Sequence, residues 1–153
     1  MRYYRTVGGD APLLVARSGS EAYDLTSARP NVTAFEDLAY VANVSRRSID
    51  EVARTFLDDA EPVSVPTETA VGVPTLVDEV WAAGVTYEIS EQAREAESGM
   101  PEMYLDVYEA ERPEVFFKAT WDRVVAPGEA VGVRRDSAWN VPEPELGIVL
   151  YRG

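Results

Sequence analysis

The chain has 153 residues, of which 46% are hydrophobic, enough for one ordinary domain or two small ones with a real core. Acids outnumber bases 27 to 14 for a net charge of −13, and a surface of that sign repels nucleic acid and anionic membranes. Cysteine and histidine are absent, which excludes disulfides, thiolate chemistry, imidazole metal ligands and the commonest general base. No apolar run reaches membrane-spanning length and no charged-then-apolar leader opens the chain, so a soluble, cytoplasmic protein is expected. Nearly every base is arginine; Lys118 is the only lysine. A carboxylate-rich, lysine-poor surface is what very high salt favours, because screening removes its self-repulsion.

Arg2 to Val7, Leu13 to Arg17 and Glu21 to Leu25 read as three short strands. They are separated by Gly8-Gly9-Asp10 and Ser18-Gly19-Ser20, which predicts a small antiparallel meander. Thr33 with Glu36 has capping-box spacing ahead of Phe35, Leu38, Ala39 and Ala42 on one helical face. Ser48 with Glu51 repeats the signature before Ile49, Val52, Ala53 and Phe56. Residues 1–60 are therefore expected to form a small α+β domain without chemistry of its own. Pro62, Pro66 and Pro74 exclude a helix over Glu61 to Thr75, which is read as a proline-rich linker, 61–75, before a second unit, 76–153.

In that second unit Val77 to Val85 reads as a strand carrying Trp81 and ending at Gly84. Thr86 to Ser90 turn into a polar helix, Glu91 to Glu97, of the kind that serves either as a lid or as a plain surface helix. A second short helix is expected over Glu102 to Glu109. Pro113 opens another strand, with Val115 and Phe117 on one face and Glu114, Phe116 and Lys118 on the other. A lone lysine on a surface that avoids lysine suits a task arginine cannot perform, proton transfer or an oxyanion contact. The structural alternative is chance retention of the lysine together with a pair to Glu114. Val124-Val125 and Ala130 to Val133 read as short strands around Pro127-Gly128.

Near the end, Pro142-Glu143-Pro144-Glu145-Leu146-Gly147-Ile148-Val149-Leu150 reads as the start of a buried strand. Alternation puts Glu143 and Glu145 on one face, where two carboxylates sit together only if solvent screens them or a cation joins them. A charged edge strand that blocks aggregation has the same pattern.

Three stretches form a set. Gly84-Val85-Thr86-Tyr87, Arg112-Pro113-Glu114-Val115-Phe116-Phe117-Lys118 and Pro142-Glu143-Pro144-Glu145-Leu146-Gly147 resemble, in order and spacing, the fumarylacetoacetate hydrolase family, from about Val77 onward. The resemblance implies a β-rich roll as catalytic domain and a divalent metal, magnesium or else manganese or calcium. It makes Glu143 and Glu145 metal ligands, and Lys118 the lysine beside the metal. It makes Thr86, Tyr87 and Ser90 part of the segment that closes over substrate. Hydrolytic members look like Gly-x-Asn-Tyr-x-x-His; here Ser90 stands at the histidine's place. With Tyr108 to Pro113 upstream, this version looks like the branch of dehydratases acting on 2-keto-3-deoxy sugar acids in pentose degradation. Metal-assisted loss of a C3 proton followed by loss of the C4 hydroxyl is the reaction implied, with Glu114 and Lys118 as acid–base candidates in either order.

Three readings follow. The first is a magnesium-dependent dehydratase of a small keto acid, a homodimer when full length, binding neither nucleic acid nor membrane. The second is a hydrolase or decarboxylase of acylpyruvate- or fumarylpyruvate-like diketo acids. The third is an inactive remnant or one half of a split enzyme, because the family's third metal carboxylate, and most of the roll, come after the Glu-x-Glu strand. The fold expected is thus α+β, a small N-terminal domain followed by the incomplete start of the roll, with Leu146 to Leu150 frayed or covered by self-association.

Overall fold

The computed structural model describes residues 1–7, 9–73, 75–84, 111–112, 114–138, 140, 142 and 144–151. They fall into two units, Met1–Leu76 with Val124–Gly153, and Val77–Arg123. The fold is α+β.

The first unit is built on an antiparallel sheet in the order β1 (Arg2–Arg5), β2 (Leu14–Ser18), β3 (Glu21–Asp24) and β4 (Glu61–Val63). The first three strands are the meander expected from the turn residues, with Tyr3 opposite Ala16 and Ala16 opposite Tyr23. Gly19 turns β2 into β3 with φ +63°, a conformation that costs glycine nothing. The fourth strand is a departure. Glu61 to Val63 were read as the start of a linker, yet they pair with β3, Pro62 lying opposite Tyr23. Pro62 is tolerated there because β4 is an edge strand. The chain that follows also lies against this unit: Gly72 N donates to Arg5 O at 2.7 Å and Val71 bridges Thr6.

Three helices complete the unit. Helix α1 (Leu25–Ala28) starts where the third strand was expected to continue, because the buried Asp24 carboxylate caps it by accepting from Thr26 N and Ser27 N. Helix α2 (Phe35–Ser45) begins at Ala34, and its cap differs from the expected Thr33–Glu36 pair. Asp37 reaches back to Thr33 N and Ala34 N, at 2.8 and 3.0 Å, while a Glu36 oxygen accepts from Leu76 N. Helix α3 (Ile49–Arg54) has the capping box read from the sequence, with Glu51 accepting from Ser48 N and Ser48 Oγ accepting from Glu51 N.

The core lies between sheet and helices: Leu14, Ala16, Leu25, Val32, Leu38, Ala42, Val52, Ala53 and Ala60. Four alanines among these nine let the helices approach the sheet closely, and Leu14, Leu25 and Leu38, fully buried, fill the remaining volume. Burying each such leucine contributes about 1.5–3 kcal/mol. At the chain's beginning, the Met1 ammonium donates to Asp50 Oδ2 at 2.6 Å and Tyr3 Oη donates to Asp50 Oδ1 at 2.7 Å, fastening β1 to α3.

The short strands expected at Val124-Val125 and Ala130 to Val133, and the strand expected from Leu146, do not form. Val124, Val125 and residues 130–133 belong to no strand among the described residues, and an apolar pattern alone does not make one. Leu146, Ile148, Val149 and Leu150 are exposed. No helix among the described residues is long and apolar enough to cross a membrane.

The second unit is an antiparallel ribbon of β5 (Glu79–Gly84) and β6 (Glu114–Thr120), closed by a 3₁₀ turn at Trp121–Arg123 whose Trp121 N donates to Asp78 O. The helices expected over Glu91 to Glu97 and Glu102 to Glu109 lie outside the described residues.

Candidate active-site ribbon

The second of the ribbon's strands carries Glu114 and Lys118, the acid–base candidates. Gly84 lies opposite Glu114, Ala83 opposite Val115, Ala82 opposite Phe116 and Trp81 opposite Phe117. The register then slips: Val80 pairs with Ala119, so Lys118 has no partner on β5. The only lysine of the chain is the extra residue of a β-bulge. Such insertions bend a strand and re-aim a side chain, and they recur beside active sites. Sequence alternation gave no sign of it, because a bulge is a property of two strands in register.

Alternation survives on the rest of β6. Trp81 and Phe117 meet edge to face with ring centroids 5.8 Å apart on one side of the ribbon. Lys118 Nζ lies 5.7 Å from the centroid of the Phe116 ring, so its ammonium stays on the Phe116 side despite the bulge. Glu114 and Lys118 are both exposed, and no ion pair joins them. The structural reading of Lys118 as a partner for Glu114 therefore fails; the lysine rests on an aromatic face, and the carboxylate is left available.

Gly84 has a role the sequence did not announce. A Cβ at this position would lie 2.9 Å from Glu114 Oε2 and 3.6 Å from Glu114 Cβ. The glycine leaves room for the Glu114 carboxylate to fold back over the end of β5. The apposition of a strand-end glycine and an acid across a ladder is visible only once the register is known.

Of the other residues singled out, Thr86, Tyr87, Ser90 and Glu143 lie outside the described residues. Glu145 belongs to the first unit and is exposed. It makes no hydrogen bond or ion pair among the described residues, so both of its oxygens are free for a hard cation, whose preferred donors they are. Among the described residues no three acidic side chains gather into a cation cage. The donor chemistry of Glu145 fits magnesium, and the described residues supply this one carboxylate of the set.

The ribbon thus presents an exposed acid and a bulged lysine on one face. Two curated relatives are named as dehydratases. The chain is 54% identical over 154 residues to a probable 2-keto-3-deoxyxylonate dehydratase of Haloferax volcanii, a match that covers 100% of this chain and 53% of the relative. It is 48% identical over 77 residues to a 2-dehydro-3-deoxy-D-arabinonate dehydratase of Saccharolobus solfataricus, covering 47% of this chain and 26% of that protein. The chain thus spans about half the length of the Haloferax relative it matches from end to end. No family model matches the chain, and no solved structure matches it.

Proposed function

We propose that this chain contributes the acid–base strand of a 2-keto-3-deoxy sugar-acid dehydratase of the fumarylacetoacetate hydrolase type, working in pentose degradation at high salt. The observation that carries the reading is the similarity over the whole chain to a relative named for that activity, together with the Glu114–Lys118 face of β6. Glu114 and Lys118 share the proton work. One accepts the proton leaving C3 of the substrate, and the other protonates the C4 hydroxyl as it leaves as water. Phe116 between them offers its ring face to the Lys118 ammonium, 5.7 Å from the ring centroid. Glu143 and Glu145 would hold a magnesium ion, which supplies a Lewis acid for the carboxylate and 2-keto oxygens of the substrate. Ser90, where hydrolytic members carry histidine, favours elimination over carbon–carbon cleavage, because a serine hydroxyl is no base at neutral pH without a partner. The acidic, lysine-poor composition and a relative from Haloferax support the high-salt setting, and the absence of a long apolar helix among the described residues suits a cytoplasmic one.

The test is a chimaera joining these 153 residues to the half of the Haloferax relative that lies outside the match, assayed in molar potassium chloride with magnesium. Dehydration of 2-keto-3-deoxyxylonate, lost on Glu114→Gln and on Lys118→Met, is the result expected. Cleavage of an acylpyruvate by the same protein, with the keto-deoxy acid untouched, would overturn the assignment.

A further inference from the structure

Two registers meet at the bulge of the ribbon. Glu79 pairs with Thr120 and Val80 with Ala119, and the closing turn keeps that register, with Trp121 N donating to Asp78 O. Continued without a break, it would set Trp81 opposite Lys118, Ala82 opposite Phe117, Ala83 opposite Phe116 and Gly84 opposite Val115. The observed pairs are one residue away: Trp81 with Phe117, Ala82 with Phe116, Ala83 with Val115 and Gly84 with Glu114. A bulge leaves its extra residue unpaired and disrupts the ladder locally, so a contact beyond Val80 has to hold the displaced register. Trp81 is the first residue past the slip, and its indole reaches both ways. The ring meets Phe117 edge to face, with centroids 5.8 Å apart, and Nε1 donates to Glu79 Oε2 at 3.0 Å. The first contact fixes the displaced register across the ladder. The second ties the same ring back, over Val80, to the register of the turn. In the unbroken ladder Lys118 would share a face with Trp81, because directly opposite residues do, and Glu114 would lose its place against Gly84.

We propose that Trp81 is a positioning residue for the acid–base strand: its indole holds the one-residue slip that sets Glu114 against Gly84 and frees Lys118 from the ladder. The hold on the register rests on the ribbon alone. Its consequence for turnover rests on the roles proposed above for Glu114 and Lys118.

The chain has no cysteine, so paired cysteines read the register directly. Ala83→Cys with Val115→Cys joins partners of the observed ladder, and Ala83→Cys with Phe116→Cys joins partners of the unbroken one. In the observed ladder the second pair points to opposite faces and cannot close without backbone movement. Disulfide formation is timed by mass spectrometry in the 153-residue chain, in molar potassium chloride. With Trp81 in place the first pair should close at least about tenfold faster than the second. Trp81→Ala should cut that ratio about fivefold or more, because the ring that selects the register is gone. Trp81→Phe keeps a ring for Phe117 but loses the N–H, and should cut it about two- to threefold. Where Trp81→Ala opens the ribbon so that neither pair closes, Trp81→Phe decides. A ratio near one with Trp81 in place, no closure of either pair there, or a ratio unmoved by Trp81→Phe would overturn the proposal. In the chimaera, Trp81→Ala should lower kcat about tenfold or more with KM within about threefold, and Trp81→Phe should recover most of the loss. A register that shifts while kcat stays would overturn the positioning role. A chimaera without dehydratase activity, with the disulfide ratios as expected, removes the proposed reaction and leaves the hold of Trp81 on the ladder standing.

Discussion

Replacing Asp50 by asparagine tests whether the first unit is held by a charged clasp at its beginning. The Asp50 carboxylate receives the Met1 ammonium at 2.6 Å and the Tyr3 hydroxyl at 2.7 Å, with the Arg54 guanidinium 3.7 Å away. The Met1 side chain is buried while the residue as a whole is half-buried, and the carboxylate is 36% exposed. A hydrogen bond to a charged group contributes about 1.5–3 kcal/mol, and solvent screening of a one-third-exposed carboxylate pulls the estimate toward the lower end. Asparagine keeps an acceptor oxygen for Tyr3 but leaves the Met1 ammonium without its counter-charge, so the expected cost is about 2 kcal/mol. For a domain of this size that lowers Tm by roughly 8–16 °C. Thermal unfolding followed by circular dichroism in molar salt reads the effect directly. The pH dependence has a definite sign. The hydrogen bond from the Met1 ammonium, then that from Tyr3, holds the Asp50 carboxyl below its ordinary range. Its contribution is therefore complete above the unfolded value of about 4 and is lost as pH falls through the depressed folded value. The gap between wild type and Asp50→Asn should close in acid. A gap below about 0.5 kcal/mol at neutral pH, the range of an ordinary surface substitution, would refute the clasp.

Tyr3→Phe should cost about 1 kcal/mol, the value of one hydrogen bond. Burial first, and the bond to Asp50 second, raise the Tyr3 phenol well above its ordinary value of 10.0, so it should resist ionisation in a base titration, and the stability Tyr3 contributes should fade as pH rises beyond that value. Leu38→Ala, at a fully buried site between α2 and the sheet, should cost about 2–5 kcal/mol in denaturant unfolding, and a loss under 1 would mean that α2 is not docked as described. In the chimaera, Gly84→Ala should lower kcat while changing stability little, because the new methyl group crowds the Glu114 carboxylate, with Oε2 2.9 Å away, and displaces it; unchanged kcat would remove Glu114 from the chemistry. Circular dichroism of the 153-residue chain should gain native signal as potassium chloride rises to molar levels, since 27 carboxylates repel one another until screened; full signal at low ionic strength would count against the high-salt setting.

The parts of the fold legible in the sequence are those set by neighbours along the chain. Gly19 between β2 and β3 and Ser48 with Glu51 at α3 specify their structure within four residues, and the structure follows them. The helix α2 shows how a local rule can point to the right element and the wrong atoms. Thr33 and Glu36 have the spacing of a cap, but Asp37 takes both the Thr33 and Ala34 amides, and Glu36 serves the distant Leu76 amide instead. Choosing between Glu36 and Asp37 requires knowing where residue 76 lies. β4 was hidden for the same reason. Pro62 argues against a helix and a central strand, and only the open edge of β3 makes Glu61 to Val63 a strand.

The candidate site divides along the same line. That Glu114, Phe116 and Lys118 share a face follows from the alternation of a strand, and the cation–π contact between Phe116 and Lys118 agrees with it. What the alternation could not supply is the slip between Val80 and Trp81, which frees Lys118 from the ladder. A bulged residue is not bound to a cross-strand neighbour, so its side chain can be re-aimed without breaking a ladder pair. That freedom suits the acid–base role proposed for Lys118 more than it suits a rigid ion pair, and it matches the missing bond to Glu114. A guanidinium, planar and charged at every accessible pH, would gain nothing as a proton donor from the same position. The one place where the chain keeps a lysine is thus also the one place on the ribbon where the backbone gives a side chain room to move, and chance retention of a lysine gives no reason for the two to coincide.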